Sequence, residues 1–138
     1  MNNDVLEKMN ALVAKFEGIQ ISDFVISSGC ALFLLGLRDK FDDIDVSVNT
    51  EVFQKLVDQG CVPIDDKMYR VQIIRIEDLN IDIHRDNITF NKPTLTMQGG
   101  VKILTPKQLL KEKDSLFKRL GRDKDLVDIN NLRRFIGE

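Results

Sequence analysis

Two short segments of the chain alternate apolar and polar residues, and both carry aspartate among the polar positions. Residues 44–48 read Ile-Asp-Val-Ser-Val, and residues 81–84 read Ile-Asp-Ile-His. An alternation with a period of two is typical of β-strands, because successive side chains of a strand point to opposite faces. We therefore expect two strands that bury their Ile and Val side chains and present Asp45, Ser47 and Asp82 on an exposed face.

Segments with helical spacing of apolar residues surround these strands. We expect further strands at 24–27 and 69–76, and helices at 4–16, 30–37, 49–59, 105–120 and 125–135. Thr105-Pro106 is a capping residue followed by proline, which favours a helix start. Segment 86–100 is weakly patterned. The pattern predicts an α+β fold with a small mixed central sheet, flanking helices and C-terminal helices.

Length and charge are those of one globular domain. The 138 residues have a net charge of −2, with 43% hydrophobic and 30% charged side chains. Residues 1–101 carry 10 basic and 16 acidic side chains, whereas residues 102–138 carry 10 and 6. An acidic front and a basic tail would suit metal ions together with a polyphosphate, although single charges are usually solvated.

The cysteine content and the hydropathy of the chain favour a cytoplasmic protein. Cys30 and Cys61 show no metal-ligand spacing, so we expect free buried thiols in a reducing compartment. There is no apolar run of the roughly 18–20 residues that a membrane span needs, and the N-terminus is unlike a signal peptide. We therefore expect a soluble, cytoplasmic protein with no membrane partner.

The aspartates are the strongest candidates for chemistry. Asp43 and Asp45 lie two apart on a strand and therefore project from the same face, where their charges repel unless a cation lies between them. Mg²⁺ binds through oxygen ligands and would answer that need. Asp82 would join them if the two strands are neighbours. The alternative is a solvated strand face without a ligand.

A second feature precedes the aspartates. Ser28-Gly29 follows a predicted strand and opens a helix, where backbone N–H groups and the helix dipole favour phosphate. The alternative is an ordinary strand-to-helix turn that Ser28 caps.

Taken in order, these elements resemble the signature of the nucleotidyltransferase-fold superfamily. The matching runs are Ser28-Gly29-Cys30-Ala31-Leu32, Gly36-Leu37-Arg38, Asp42-Asp43-Ile44-Asp45-Val46 and Asn80-Ile81-Asp82-Ile83. Lys113, Arg119 and the run Lys124-Asp125-Leu126-Val127-Asp128 are similar to further elements of AbiEii-like, minimal nucleotidyltransferases, which are known largely from toxin–antitoxin and phage-defence systems. The chain departs from the signature at Ser28, where the family has glycine, and at Asp42, where it commonly has Ser or Thr.

The resemblance implies a polymerase-β-like palm at about 20–100 and a helical part at about 105–136 within one domain. It implies a magnesium-dependent transfer of an NMP from an NTP to an acceptor hydroxyl on RNA such as tRNA, on protein or on a small molecule. Asp43, Asp45 and Asp82 would be catalytic and would hold two Mg²⁺ ions. The nucleotide would be bound by the residues Ser28, Gly29, Arg38 and Lys113. A cognate protein partner is also implied.

Several alternatives stay open at this point. Two alternatives to an active enzyme are open. The chain would then be an inactive descendant of the fold that binds or inhibits a partner, or a structural domain with acids only on its surface. Asp125 and Asp128 would orient Lys113 or only form caps and salt bridges. His84 would orient Asp82, touch a phosphate or serve as a structural hydrogen-bonding group. Tyr69 and Arg70 would be candidates for contacting a base.

Overall fold

The computed structural model describes residues 3–68 and 70–138 and shows an α+β fold on one seven-stranded mixed sheet. The strands are β1 Val25–Ser27, β2 Ile44–Val48, β3 Ile64–Asp66, β4 Val71–Ile76, β5 Ile81–Arg85, β6 Thr94–Thr96 and β7 Lys102–Leu104. Their order in the sheet is β3-β4-β5-β2-β1-β7-β6. The β2–β5 and β1–β7 pairs are parallel, and the others are antiparallel.

Six α-helices accompany the sheet in this part of the chain. They are α1 Asn3–Ala14, α2 Ser28–Leu34, α3 Thr50–Asp58, α4 Asn87–Phe90, α5 Pro106–Leu120 and α6 Asp123–Ile136. The predicted cap of α5 is confirmed, because the Thr105 side chain accepts a hydrogen bond from the Gln108 backbone N–H. Asn49 caps α3 in the same way through the N–H of Val52. Within the described residues no helix combines the length and apolarity of a membrane span.

The register of the sheet places four polar residues side by side on neighbouring strands. Ser27 pairs with Asp45, Asp45 pairs with Asp82, and Asp82 pairs with Arg75. Residues directly opposite each other in a sheet point to the same face. The row Ser27–Asp45–Asp82–Arg75 therefore crosses β1, β2, β5 and β4 on one face.

The opposite face of these central strands belongs to the hydrophobic core. The neighbouring rows Ile26–Val46–Ile83–Ile74 and Ile44–Ile81–Ile76 are buried there, and Ile103 of β7 continues the first row. Helices α1 and α3 add the side chains of Val5, Met9, Leu12, Val52, Phe53 and Leu56 to the same core.

The expectation of an exposed polar face is wrong for its inner part. Ser47 is 3% exposed and His84 is 6% exposed, because protein covers this face of the sheet as well. Asp45 and Asp82, near the beginning of their strands, are half-buried and reach the cleft described below.

Other expectations need adjustment at short elements. Ser28, predicted to lie in a turn, is the first residue of α2. The strand expected from residue 69 begins at Val71. Tyr69 itself lies outside the described residues. Strands β3, β6 and β7, of three residues each, and the one-turn helix α4 were not predicted. Three residues are too few to show alternation.

The two cysteines should differ sharply in reactivity. The Cys30 side chain is fully buried, and its pKa is raised to about 12, first by burial and then by the charge of Asp45, with Lys8 acting in the opposite direction. Burial also raises the pKa of Cys61, but this side chain is half-buried. Because the thiolate is the reactive form, we expect Cys61 to react first with a disulfide reagent and Cys30 to react after unfolding. Rapid labelling of a Cys61→Ser variant in the native state would contradict the burial of Cys30.

Candidate functional site

The row of polar residues opens into a cleft of about 360 Å³ with an acidic and a basic wall. Five aspartates line the acidic wall: Asp42, Asp43, Asp45, Asp66 and Asp82. Four cations line the other side: Arg38, Lys113, Arg122 and Lys124. Ser28, Gly29 and Met68 complete the lining. The cleft thus contains Asp43, Asp45 and Asp82, predicted to be catalytic and metal-binding, and the four residues predicted to hold the nucleotide phosphates, whereas Arg70 lines a different cavity.

The loop before β2 is held in place by the turn between β4 and β5. Asn80 adopts a left-handed conformation with φ of 55°, which its short side chain tolerates. Its Nδ2 donates to the backbone oxygen of Asp42 at 2.8 Å, and its own backbone oxygen accepts from the Ile44 N–H at 3.0 Å. These two hydrogen bonds bracket Asp43 and bring it into the cleft beside Asp45.

Two other side chains contact the predicted metal-binding carboxylates. Nη1 of Arg75 lies 2.9 Å from Oδ1 of Asp82 and 4.0 Å from Oδ1 of Asp43. The hydrogen bond to Asp82 is the main reason that the pKa of Arg75 is raised, so the guanidinium remains charged. Nε2 of His84 lies 3.2 Å from Oδ1 of Asp45. Each carboxylate of the triad therefore has a nitrogen-bearing neighbour.

The position of His84 bears on the roles considered for it. The histidine is buried, and its Nε2 contacts Asp45 on the neighbouring strand. The diagonal contact arises because His84 pairs in register with Ser47, which lies two residues beyond Asp45 on the same face.

The Ser28-Gly29 turn has the backbone geometry for which glycine is usual. Ser28 has a φ of 56°, a region that residues with a Cβ seldom adopt. At Gly29 the Cβ of any other residue would stand 2.5 Å from Nη1 of Arg38. Glycine at this position therefore allows the Arg38 guanidinium to approach the start of α2.

Glu112 of α5 contacts the same turn. Its Oε1 accepts hydrogen bonds from the backbone N–H of Ser28 at 3.1 Å and from the Ser28 hydroxyl at 3.3 Å. Burial raises the pKa of Glu112, while the charge of Lys113 and the two hydrogen bonds from Ser28 act in the opposite direction. A carboxylate thus accepts from the donors that were predicted to hold phosphate.

The basic wall is built from a chain of five alternating charges. Asp128 binds Arg38 at 2.5 Å and Lys113 at 3.2 Å, and Asp125 binds Lys113 at 3.4 Å and Arg122 at 2.8 Å. Lys113 and both aspartates are buried. Burial acts to raise the pKa of Asp125, but the hydrogen bond from Arg122 and the charges of Lys113 and Arg122 outweigh it and the pKa is lowered. The chain holds three cations with two anions, which leaves a positive surplus beside the cleft.

The contacts of Asp125 and Asp128 are compatible with both predicted roles, orientation of Lys113 and formation of structural salt bridges. The aspartates contact Lys113 directly, and they also join α6 to Arg122 and to Arg38 of the loop after α2.

Lys124 lines the same cleft, is exposed, and has no ion-pair partner within 4 Å among residues 3–68 and 70–138.

The acidic wall offers oxygen ligands, which are the type of ligand that a hard cation binds. Asp43, Asp45 and Asp82 offer carboxylate oxygens, which Mg²⁺ prefers. In the conformation described, however, no three acidic, histidine or cysteine side chains of the described residues are grouped closely enough to hold a metal ion. Arg75 contacts two of the three carboxylates, so metal binding there would require its guanidinium to move.

Sequence reasoning missed Arg75, Glu112 and Arg122. Arg75 has a signal in retrospect, because it alternates with Ile74 and Ile76 on a predicted strand. Glu112 has none, since its role depends on how α5 packs beside α2. In contrast, Arg119, which belongs to the resemblance, does not line the cleft but a separate groove.

Comparisons of the chain with protein-family models, with curated proteins and with solved structures found no significant match.

The buried charges of the basic wall should be important for stability. In Asp125→Asn, Lys113 and Arg122 lose a charged partner inside the protein, so we expect the free energy of unfolding to fall by about 3 kcal/mol. Urea denaturation measures it. Asp123→Asn is the matched control, because Asp123 is exposed in the first turn of the same helix and should cost less than about 1 kcal/mol. Equal effects of the two variants would contradict the buried network.

The raised pKa of Glu112 predicts a pH-dependent effect of Glu112→Gln. Below the ordinary pKa of 4.5 the carboxyl is protonated in both folded and unfolded protein. As the pH rises through the raised folded pKa, ionisation favours the unfolded state, so wild type loses stability relative to the variant. We expect Glu112→Gln to be more stabilising at about pH 8 than at about pH 4, measured by urea denaturation. The exposed Glu51→Gln serves as control, and a difference that is constant with pH would contradict the prediction.

Proposed function

We propose that this chain has the polymerase-β-like palm of the nucleotidyltransferase fold and transfers an NMP from an NTP to an acceptor hydroxyl with Mg²⁺. The observation that carries the proposal is the pairing of Asp45 with Asp82 in register on neighbouring parallel strands. Asp43 joins them in one cleft, opposite a wall that contains Lys113.

The arrangement suits a metal–polyphosphate substrate better than a neutral ligand. Carboxylates on one wall favour divalent cations, and cations on the opposite wall favour phosphate. A cleft of about 360 Å³ also lies within the size range of small-ligand sites. An NTP with bound magnesium carries both kinds of charge and would satisfy both walls together.

The roles follow from the position of each group in the cleft. Asp43, Asp45 and Asp82 would hold magnesium, which when bound supplies charge neutralisation on the phosphates. Lys113, paired with Asp125 and Asp128, would face the negative charge that develops on the phosphates, with Arg38 beside it. Ser28 and Gly29 would bind the phosphates once Glu112 releases the Ser28 donors. The acceptor oxygen would bond to the α-phosphorus as the bond between the α-phosphorus and the oxygen that bridges to the β-phosphate breaks, pyrophosphate would leave, and Asp82 would help to take the proton of the acceptor hydroxyl.

A second candidate is a non-catalytic protein of the same fold that binds or inhibits a partner. Two contacts favour it: Arg75 lies against Asp82, and Glu112 accepts hydrogen bonds from Ser28. A guanidinium and a carboxylate thus contact the groups proposed for metal and for phosphate. In this case substitution of the aspartates would leave the biological effect of the protein intact.

The proposal includes a biological setting for the enzyme. The free cysteines and the family resemblance fit a cytoplasmic enzyme of a toxin–antitoxin or phage-conflict system with a cognate protein partner. RNA such as tRNA, a protein or a small molecule would then accept the nucleotide.

Nucleotide binding tests the first candidate directly. Each NTP is tested in turn with Mg²⁺ present, and we expect the one that the protein binds to raise the melting temperature of wild type. The double variant Asp43→Asn with Asp45→Asn should abolish this shift, because two metal ligands lose their charge. Asp58→Asn is a matched control, since this aspartate is exposed on α3, outside the cleft. Transfer of label from labelled NTPs to cellular RNA or protein measures the reaction itself.

The results separate the two candidates. A magnesium-dependent shift with label transfer supports the enzyme. Absence of a shift with every NTP contradicts it and favours the binding protein, as does an equal shift in the double variant and in Asp58→Asn.

A further inference from the structure

A second cavity of about 380 Å³ lies on the other side of α5 and is lined by unpaired cations. Its lining residues are Thr89, Lys92, Leu104, Gln108, Lys111, Glu112, Ser115, Leu116 and Arg119. We call this cavity the α5 groove. The cleft and the α5 groove meet where Glu112, which lines the groove, accepts hydrogen bonds from Ser28, which lines the cleft.

The cations of the α5 groove differ from those of the cleft in having no acidic partner. Lys92, Lys111 and Arg119 are exposed, and none of them has a carboxylate within 4 Å in the described part of the chain. The cleft cations Arg38, Lys113 and Arg122 are, by contrast, all held by Asp125 or Asp128. Cations without an acidic partner keep all of their hydrogen-bond donors for a ligand, whereas the paired cations of the cleft share theirs with aspartates.

Their spacing indicates a chain of phosphates rather than one phosphate. Lys111, Ser115 and Arg119 follow at intervals of four residues and therefore lie along one face of α5. Lys111 and Arg119 are separated by about 12 Å along the helix axis, which is longer than one phosphate group. Lys92, from the loop after α4, lies across the groove from this row.

The uncharged part of the lining also suits a polynucleotide. Gln108 and Ser115 supply neutral hydrogen-bonding groups, whereas Leu104 and Leu116 are 2% and 5% exposed and contribute little accessible surface. A mixture of neutral groups and cations matches the alternation of charged phosphates with sugars and bases. Glu112 is the one acidic side chain of this lining and contributes at most one negative charge against three cations, so the groove is net positive.

The groove also lies at the end of the sheet where the candidate catalytic residues lie. Val25 pairs with Lys102 and Ile26 with Ile103, so Leu104 follows beside Ser27, which pairs with Asp45. A chain bound in the groove would therefore have one end near the carboxylates.

From these observations we infer that the α5 groove binds the terminal segment of a single-stranded polynucleotide and directs its hydroxyl end past Glu112 into the cleft. The inference deepens the proposed function, on which it rests for the role of the bound strand as acceptor. It names the class of acceptor and the surface that recognises it.

Binding of a fluorescein-labelled single-stranded RNA of about 12 nucleotides tests the inference. The groove variant combines Lys92→Ala, Lys111→Ala and Arg119→Ala. We expect it to bind at least about tenfold more weakly and to reduce the slope of log K against log salt by about 2, because three phosphate contacts are lost. Anisotropy measured without NTP or Mg²⁺ keeps this result independent of the nucleotide site.

The chain offers a control matched in charge and residue type. Lys40→Ala, Lys55→Ala and Arg85→Ala also remove two lysines and one arginine, all exposed and outside both the groove and the cleft. This variant should bind as wild type does. Ser115→Leu adds a second test, since it narrows the groove without a change of charge and without an aromatic ring that could stack on a base, and it should weaken binding while the salt dependence stays close to that of wild type.

The outcomes distinguish this inference from the proposed function. Equal losses in the groove and control variants, or no RNA binding by wild type, would overturn the groove as a polynucleotide site even if magnesium-dependent NTP binding is found. Label transfer to a protein, unaffected by the groove variant, would overturn it as well. Loss of RNA binding confined to the groove variants supports the groove, and failure of NTP binding then counts against the nucleotidyltransferase alone. The same measurement with DNA of equal sequence shows whether the 2′-hydroxyl is recognised.

Discussion

The parallel pairing of β2 with β5 places two carboxylates beside each other, and the rest of the site is arranged around that constraint. Asp45 and Asp82 share a row of the sheet, where adjacent negative charges repel. Arg75 is the next residue in the row and donates to Asp82, while His84 contacts Asp45 from two residues further along β5. The sheet therefore supplies both the concentrated negative charge and the groups that make it tolerable in the folded chain.

The basic wall requires compensation of positive charge. Lys113 is buried, and a buried ammonium group requires charged partners. Asp125 and Asp128 provide them and at the same time connect α6 to Arg122 and Arg38. The consequence is a network of paired cations that lines the same cleft as the aspartates, in contrast to the cations of the α5 groove, for which no acidic partner lies within 4 Å in the described residues.

Ser28 combines a backbone conformation typical of glycine with a side chain that makes a contact of its own. Its positive φ is the conformation for which glycine would be usual, and its N–H and hydroxyl both donate to Glu112. The hydroxyl that glycine lacks thus contributes one of the two contacts between the start of α2 and α5. This contact also joins the cleft to the groove.

Much of the fold could be predicted because its longer elements have strong local signals. Strand 44–48 shows alternation, the start of α5 at Thr105-Pro106 shows a cap, and both have the predicted bounds at these points. The three-residue strands β3, β6 and β7 carry too little pattern and form because neighbouring strands offer them hydrogen-bond partners. The burial of Ser47 and His84 likewise depends on how the second face of the sheet is covered.

The sequence by itself determined which residues could carry chemistry, because the spacing of Asp43 and Asp45 and the alternation around Asp82 follow from strand geometry. Tertiary structure decided which groups meet. The sheet order brings Asp82 beside Asp45 and Arg75 beside Asp82, and the packing of α5 and α6 brings Glu112 to Ser28 and Lys113 to Asp125. The physical reason is range: side-chain direction along a strand is a local property, whereas contacts between residues far apart in the chain depend on strand order, register and helix packing.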